Sequence, residues 1–264
     1  MALANPTRWE SAATAGRRLG HRVEAHRVLG STNDRARALL ETPNGEGVAV
    51  VTEEQAAGRG RLGRSWSSPP ERNLMVSVAF RPTLAAADGA WLGIAAALAA
   101  WRACRTVAEV ALKWPNDVVD VGGRKVGGLL VETAVDGDRL TEVVIGIGLN
   151  VNWRRVEMPH ELATATSLAE LAGTDVDRAA LLATLLAALD GEVAAVEVGR
   201  SPIARYRGAC ATLGTEVEVL VGDRLVTGTA RDVGDDGALV LDTADGEVRC
   251  TSGEVVRVRP SGAA

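Results

Sequence analysis

Thr141-Glu-Val-Val-Ile-Gly-Ile-Gly-Leu-Asn-Val151 is the stretch on which the fold turns. Its β-branched residues favour an extended backbone. Gly146 and Gly148 alternate with Ile145 and Ile147, which predicts a buried strand that a ligand or another backbone approaches closely. Leu74–Phe80 (LMVSVAF) alternates in part at period two, and Val48–Val51 is a short apolar run, so both read as companion strands. Val110–Trp114 and Val118–Val121 read as two more, flanking a turn at Pro115-Asn116-Asp117.

Helices lie between these runs. Trp91–Cys104 is alanine-rich and apolar, which predicts a helix packed on the sheet. Asp177–Val196 carries an aspartate at its start and leucines and alanines at helical spacing. A shorter helix is expected at Asp34–Leu40. Interleaved strands and helices define an α/β (α+β) chain. After Pro202 the pattern changes to short strands at Glu216–Val221, Leu225–Val233, Ala238–Asp242, Glu247–Cys250 and Glu254–Val258. Turns such as Asp236-Gly237 and Asp245-Gly246 separate them, which suggests a small β-barrel. The boundary falls near residues 205–212, giving a larger domain over 1–208 and a C-terminal β domain over 209–264.

The chain has 264 residues, 47% of them hydrophobic, enough for a packed core. Acids outnumber lysine plus arginine by 34 to 29, a net charge of −5 that weighs against a nucleic-acid-holding domain. Cys104, Cys210 and Cys250 form no CxxC pair and fit a reducing cytoplasm. His21, His26 and His160 lack zinc-site spacing, so no structural metal is expected. Residues 1–20 contain no continuous apolar core of a secretory signal. The apolar stretch Trp91–Ala100 is too short to span a bilayer, so no membrane partner is expected.

Chemistry concentrates in a few segments. Gly58-Arg-Gly-Arg-Leu-Gly-Arg64 combines three glycines with Arg59, Arg61 and Arg64, whose guanidinium groups hold phosphate or carboxylate bidentately. It is neither a Walker A loop nor a dinucleotide fingerprint. A solvated basic loop is the competing reading, and the segment alone does not choose. Lys113-Trp-Pro-Asn-Asp117 ends an apolar strand, where a lysine is costly unless an anion meets it; an exposed lysine beside a turn is the alternative. Gly122-Gly-Arg-Lys-Val-Gly-Gly128 precedes Leu129–Glu132, with paired glycines able to open space against a flat ligand. Ser31-Thr-Asn33 offers two hydroxyls and an amide, or simply caps the next helix. Asn150 ends the glycine-bearing strand as a candidate polar reader.

The order Gly30-Ser-Thr-Asn33, Gln55, GRGRLGR, KWPND, KVGGLLVE, GIGLNVN closely resembles the biotin–protein ligase family, from about residue 30 to residue 152. The resemblance implies a mixed-sheet catalytic domain of the biotin/lipoate ligase type with helices packed on it, and a C-terminal SH3-like β-barrel. It implies ATP-dependent formation of biotinyl-5'-AMP, followed by transfer of biotin to a lysine of a biotin carboxyl carrier domain of a biotin-dependent carboxylase. ATP and biotin are then substrates, with Mg²⁺ accompanying them. Carried over residue by residue, it implies that Ser31, Thr32, Asn33 and Gln55 contact biotin. Gly58, Arg59, Gly60 and Arg61 close over it, with Trp66 and Asn116 beside the ligands. It makes Lys113, with Arg59 and Arg61, catalytic, sets Gly128 along the biotin cleft and puts Asn150 on the nucleotide side. About 30 residues precede Gly30, fewer than the ~50 of an independent domain, so the type without a DNA-binding domain is expected, with no DNA partner. Two other readings compete. A lipoate or octanoyl ligase or transferase of related fold would be expected to lack the arginine loop and KWPND together. A nucleic-acid-binding protein is opposed by one Tyr, one Phe and the acidic balance.

Overall fold

A computed structural model describes residues 9–13 and 17–259. Residues 1–8 and 14–16, on which part of the expectation about the N-terminus rests, lie outside them.

Seven strands form the main sheet: β1 (Val23–Leu29), β2 (Ala49–Gln55), β3 (Leu74–Phe80), β4 (Val110–Lys113), β5 (Asp117–Asp120), β6 (Lys125–Asp136) and β7 (Arg139–Leu149). Their spatial order is β1-β2-β3-β7-β6-β5-β4. Only β1 and β2 run parallel; every other neighbouring pair is antiparallel, so the sheet is mixed as expected. β7 lies at its centre, with Gly146 opposite Ser77 on one side and Leu130 on the other. All seven residues of β3 are buried, because both faces of this part of the sheet are covered.

The long helices are α2 (Gly89–Arg105) and α4 (Arg178–Glu197), which pack on each other. Asp177 caps α4 by accepting from the Ala179 and Ala180 amides. Among the described residues, α4 alone is long and apolar enough to cross a membrane, yet half of it is buried inside the protein. It also carries two buried charges, each paired: Arg178 with Glu53 at 2.6 Å, and Glu192 with Arg102 and Arg205, both at 2.9 Å. α4 is a core helix. Smaller helices are α1 (Thr32–Leu39), α3 (Leu168–Ala172) and α5 (Ile203–Ala209).

Two details differ from the sequence reading. β1 and α5 were not foreseen, since Val23–Leu29 mixes charged with apolar residues and Ile203–Ala209 spans only two turns. The Gly127-Gly128 pair lies inside β6 rather than ahead of it, because Gly127 and Gly128 pair with Leu149 and Gly148 in the middle of the sheet. The expected C-terminal β domain is present as a five-stranded antiparallel sheet: β8 (Glu216–Val221), β9 (Arg224–Val233), β10 (Leu239–Thr243), β11 (Gly246–Cys250) and β12 (Glu254–Arg259). Its order is β11-β10-β9-β8-β12, so β11 and β12 are its two ends.

Candidate functional site

A cleft of about 150 Å³ opens over the β3-β7-β6 centre of the main sheet. One wall is the start of α1. Ser31 takes the N-cap position with extended backbone, but its hydroxyl makes no capping bond, so the capping reading of this segment fails. Thr32 instead donates from its amide to Gln55 Oε1 at 2.9 Å, with its hydroxyl 3.2 Å from the same oxygen. Ser77 of β3 donates to Asn33 Oδ1 at 2.6 Å, and Asn33 Nδ2 donates to Glu132 of β6 at 2.7 Å. Thr32 and Asn33 are almost fully buried. Such a network is preorganised for a ligand that needs several hydrogen bonds at fixed angles.

Gly146 and Gly148 explain why this wall can sit so close to the sheet. A Cβ on Gly146 would lie 2.2 Å from Asn33 Oδ1, and one on Gly148 would lie 2.6 Å from the Trp66 ring. The close approach expected from the alternating glycines is therefore made by Asn33 and Trp66. The Trp66 indole N–H is buried without a hydrogen-bond partner. Its ring lies under the Lys125 ammonium, 5.8 Å from the ring centre.

The arginine loop folds back on itself. Gly60 N donates to Arg64 O at 2.7 Å and Trp66 N to Gly58 O at 2.9 Å. Its three guanidinium groups have different partners. Arg59 binds both oxygens of Asp34, at 2.8 and 2.6 Å, and lies 3.8 Å from Glu132. That hydrogen bonding holds the Asp34 carboxyl below its ordinary range and raises Arg59 further. Arg64 grips Glu254 of β12, tying the loop to the second sheet. Among the described residues Arg61 meets a neutral group, Asn116 Oδ1, at 3.3 Å.

Lys113 stands at the end of β4, half-buried, with no carboxylate partner among the described residues. Trp114 beside it is buried and makes two hydrogen bonds to the C-terminal part of the chain. Asn116 Nδ2 donates to Leu129 O at 2.8 Å, and Asp117 pairs with Lys125 at 2.7 Å. A second, wider cavity of about 690 Å³ adjoins the cleft, sharing Arg59–Leu62 and Trp114–Asn116 as its boundary.

Of the residues expected at the site, Ser31, Thr32, Asn33, Gln55, Arg59, Gly60, Arg61, Trp66, Lys113, Asn116 and Gly128 line the cleft. Two do not. Gly58 sits behind the loop, its Cβ position filled by Trp66 O at 2.4 Å. Asn150 is buried, taking Asn73 Nδ2 at 3.4 Å and giving its own amide to Thr166 O at 3.1 Å, so its polar groups are spent on holding segments together. Sequence reasoning missed Lys125, Met75 and Ser77, and it missed Gly253–Val255, which reach the cleft from the second sheet. Lys125 lay within the glycine-rich segment already singled out. Nothing local marked Glu254, 190 positions from its partner.

The model of the biotin/lipoate A/B protein ligase family matches residues 25–150, and that of the biotin protein ligase C-terminal domain matches residues 212–258. The chain is 36% identical to the biotin–[acetyl-CoA-carboxylase] ligase of Mycobacterium tuberculosis, over 87% of this chain and 86% of that protein. It is 31% identical to the bifunctional ligase/repressor BirA of Bacillus subtilis, over 90% of this chain and 74% of that protein. Among solved structures, the biotin protein ligase from Aquifex aeolicus in complex with biotin and ATP superposes with a TM-score of 0.75 at 30% identity. That match covers 90% of this chain and 99% of the other.

Proposed function

The chain belongs to the biotin/lipoate A/B protein ligase family, and from that premise we infer that it is a biotin–protein ligase. It activates biotin with ATP to biotinyl-5'-AMP and passes the biotinyl group to a lysine of a biotin carboxyl carrier domain. The observation that carries this reading is the meeting in one cleft of two cations without carboxylate partners among the described residues, Arg61 and Lys113, with the hydrogen-bonded Thr32–Asn33–Gln55 wall. The match to the biotin-specific C-terminal module favours biotin over lipoate, which the first family model spans equally.

Two anions must meet in the first step. The biotin carboxylate oxygen attacks the α-phosphorus, and the bond to pyrophosphate breaks. Lys113 and Arg61 offset the repulsion and the charge that builds on the transferring phosphate. The Trp66 N–H offers an unpaired donor to an acceptor atom of the bound ligand. In the second step a carrier amine attacks the acyl carbon, the acyl–oxygen bond breaks and AMP leaves. The wide second cavity meets the cleft at Arg61 and Asn116, which gives that amine an approach that does not cross the first wall. The arginine loop, tied to Asp34 and Glu254, shields the mixed anhydride from water.

Magnesium fits as a companion of the ATP phosphates, since it is ordinarily held by one or two carboxylates together with substrate phosphates. Among the described residues no three His, Cys, Asp or Glu side chains gather as a metal cage. Cytoplasmic residence follows from the proposed substrates and the unpaired cysteines.

Incubation with biotin, ATP, magnesium and a biotin carrier domain is expected to add one biotinyl group to the carrier, read by intact mass. Lys113→Ala and Arg61→Ala are expected to lower biotin-dependent exchange between pyrophosphate and ATP by about 100-fold or more while leaving the fold intact. Exchange at the wild-type rate in both variants refutes the assignment.

A further inference from the structure

The segment joining the two sheets does more than connect them. Cys210 pairs in parallel with Leu112 of β4, and Ala211 N donates to Leu112 O at 2.8 Å. Two residues on, Thr212 Oγ1 accepts the Trp114 amide at 3.0 Å. This bond is buried, and Thr212 is 1% exposed. The Trp114 ring is held as well, with Nε1 donating to Gly237 O at 3.0 Å. Gly237 belongs to a turn of the second sheet with φ of +80°, and a second indole, Trp91 of α2, donates to the neighbouring Asp235 O at 2.6 Å. Lys113 is the residue between Leu112 and Trp114, at the end of β4.

We propose that Thr212 is a positioning residue for the activation step: with the Gly237 carbonyl it clamps Trp114 from the C-terminal part of the chain, and so aims the Lys113 ammonium at the reacting phosphate. The proposal rests on the ligase reading given above. β4 is the outermost strand of its sheet and only four residues long, with β5 on one side. A lysine at the end of so short an edge strand would otherwise have its direction set by one neighbour. The Cys210–Thr212 segment supplies the second side, and the indole contact fixes rotation about the strand axis. Lys113 thus depends on the second module through its neighbour Trp114. A domain boundary drawn through residues 205–212 cuts the clamp.

Thr212→Val keeps the shape and removes the acceptor, leaving a buried amide without a partner. Misplacement of a catalytic group by about 1 Å costs up to about 100-fold in rate. The expected result is a kcat for pyrophosphate exchange lowered roughly 10- to 100-fold, with KM for biotin and the biotin-induced rise in Tm within about twofold of wild type. Thr212→Ser, which restores the acceptor, is expected to recover most of kcat. A general loss of packing would lower Tm in both variants and raise KM along with the fall in kcat. Wild-type kcat in Thr212→Val, or no recovery in Thr212→Ser, overturns the proposal. If Thr212→Val does not fold, Trp114→Phe, which removes the bond to Gly237 together with part of the buried ring, decides in its place: a lowered kcat with KM for biotin within twofold of wild type supports the clamp, and an unchanged kcat, or a kcat and KM that worsen together, refutes it. Failure of the wild-type protein to exchange pyrophosphate would instead remove the ligase reading on which the clamp depends.

Discussion

Gly146→Ala adds a single methyl group and is expected to impair biotin binding more than any surface change near the cleft. The new Cβ would sit 2.2 Å from Asn33 Oδ1, whereas ordinary contact begins near 3.4 Å, so the two must separate by about 3.4 − 2.2 = 1.2 Å. β7 has little room to retreat, because Gly146 is paired with Ser77 on one side and Leu130 on the other. Asn33 therefore moves. Its bonds to Ser77 at 2.6 Å and Glu132 at 2.7 Å then stretch past useful length, in a residue only 4% exposed. Overpacking costs ~1–3 kcal/mol, and each buried group left unpaired costs ~1–3 kcal/mol. Strain that biotin must reimpose to bring Asn33 back into place appears as lost affinity; ~1.4–2.8 kcal/mol of it is a 10- to 100-fold rise in Kd. Titration calorimetry with biotin measures this directly, with thermal unfolding alongside to record the part taken by stability. Gly191→Ala, in helix α4 with open space at its Cβ position, is the matched control and should leave both unchanged or raise Tm slightly. A biotin Kd within twofold of wild type in Gly146→Ala would show that Asn33 does not touch the ligand.

Two further changes probe the scaffold. Arg178→Met strands Glu53 in the core, since the pair is 3% and 5% exposed and the same guanidinium binds Asn73 O at 2.9 Å; about 3–5 kcal/mol should be lost, or roughly 6–20 °C in Tm, and a shift under 2 °C would contradict it. Glu24 is held at about 2, chiefly by its hydrogen bond to Arg35, against 4.5 for the unperturbed group. A depressed carboxylate adds stability above its unfolded value and loses it on acidification, so the advantage of wild type over Glu24→Gln should be full above pH 5 and fade as pH falls from about 4.5 towards 2. Urea unfolding at stepped pH reads it, and a gap that widens on acidification would reverse the sign.

Much of the fold could be read from local pattern. β3, β8 and the core of α4 match their predicted bounds almost residue for residue, since each pattern is long relative to its noise. The misses have separate physical causes. β1 is an edge strand with charged residues at Glu24, His26 and Arg27, and α5 is too short for a helical period to show. The second sheet's part in the cleft was invisible because it depends on contacts such as Arg64–Glu254, which no local window contains. Asn150 was misplaced for a subtler reason. An amide after a glycine-bearing strand resembles a ligand reader, but here it satisfies the backbone of two loops, at Lys125 O and Thr166 O. Sequence pattern gives the face on which a residue lies; it does not say whether its hydrogen bonds are already taken.

The use of basic residues bears on the chemistry itself. Only two of the 29 lysines and arginines are lysine, Lys113 and Lys125, and both line the cleft. Guanidinium is not deprotonated in proteins, so none of the arginines offers a free nitrogen lone pair to an acyl adenylate. A lysine amine does, whenever it sheds its proton. Lysine is the compact, mobile point charge of the two cations, suited to a place between two anions. The two lysines differ in their surroundings. Lys125 is paired with Asp117 at 2.7 Å and covers the Trp66 ring, so its ammonium is already engaged at the edge of the ligand space. Lys113 has no such partner among the described residues, which leaves its charge available for the phosphate and makes its aim, set by Trp114, the quantity that activation depends on.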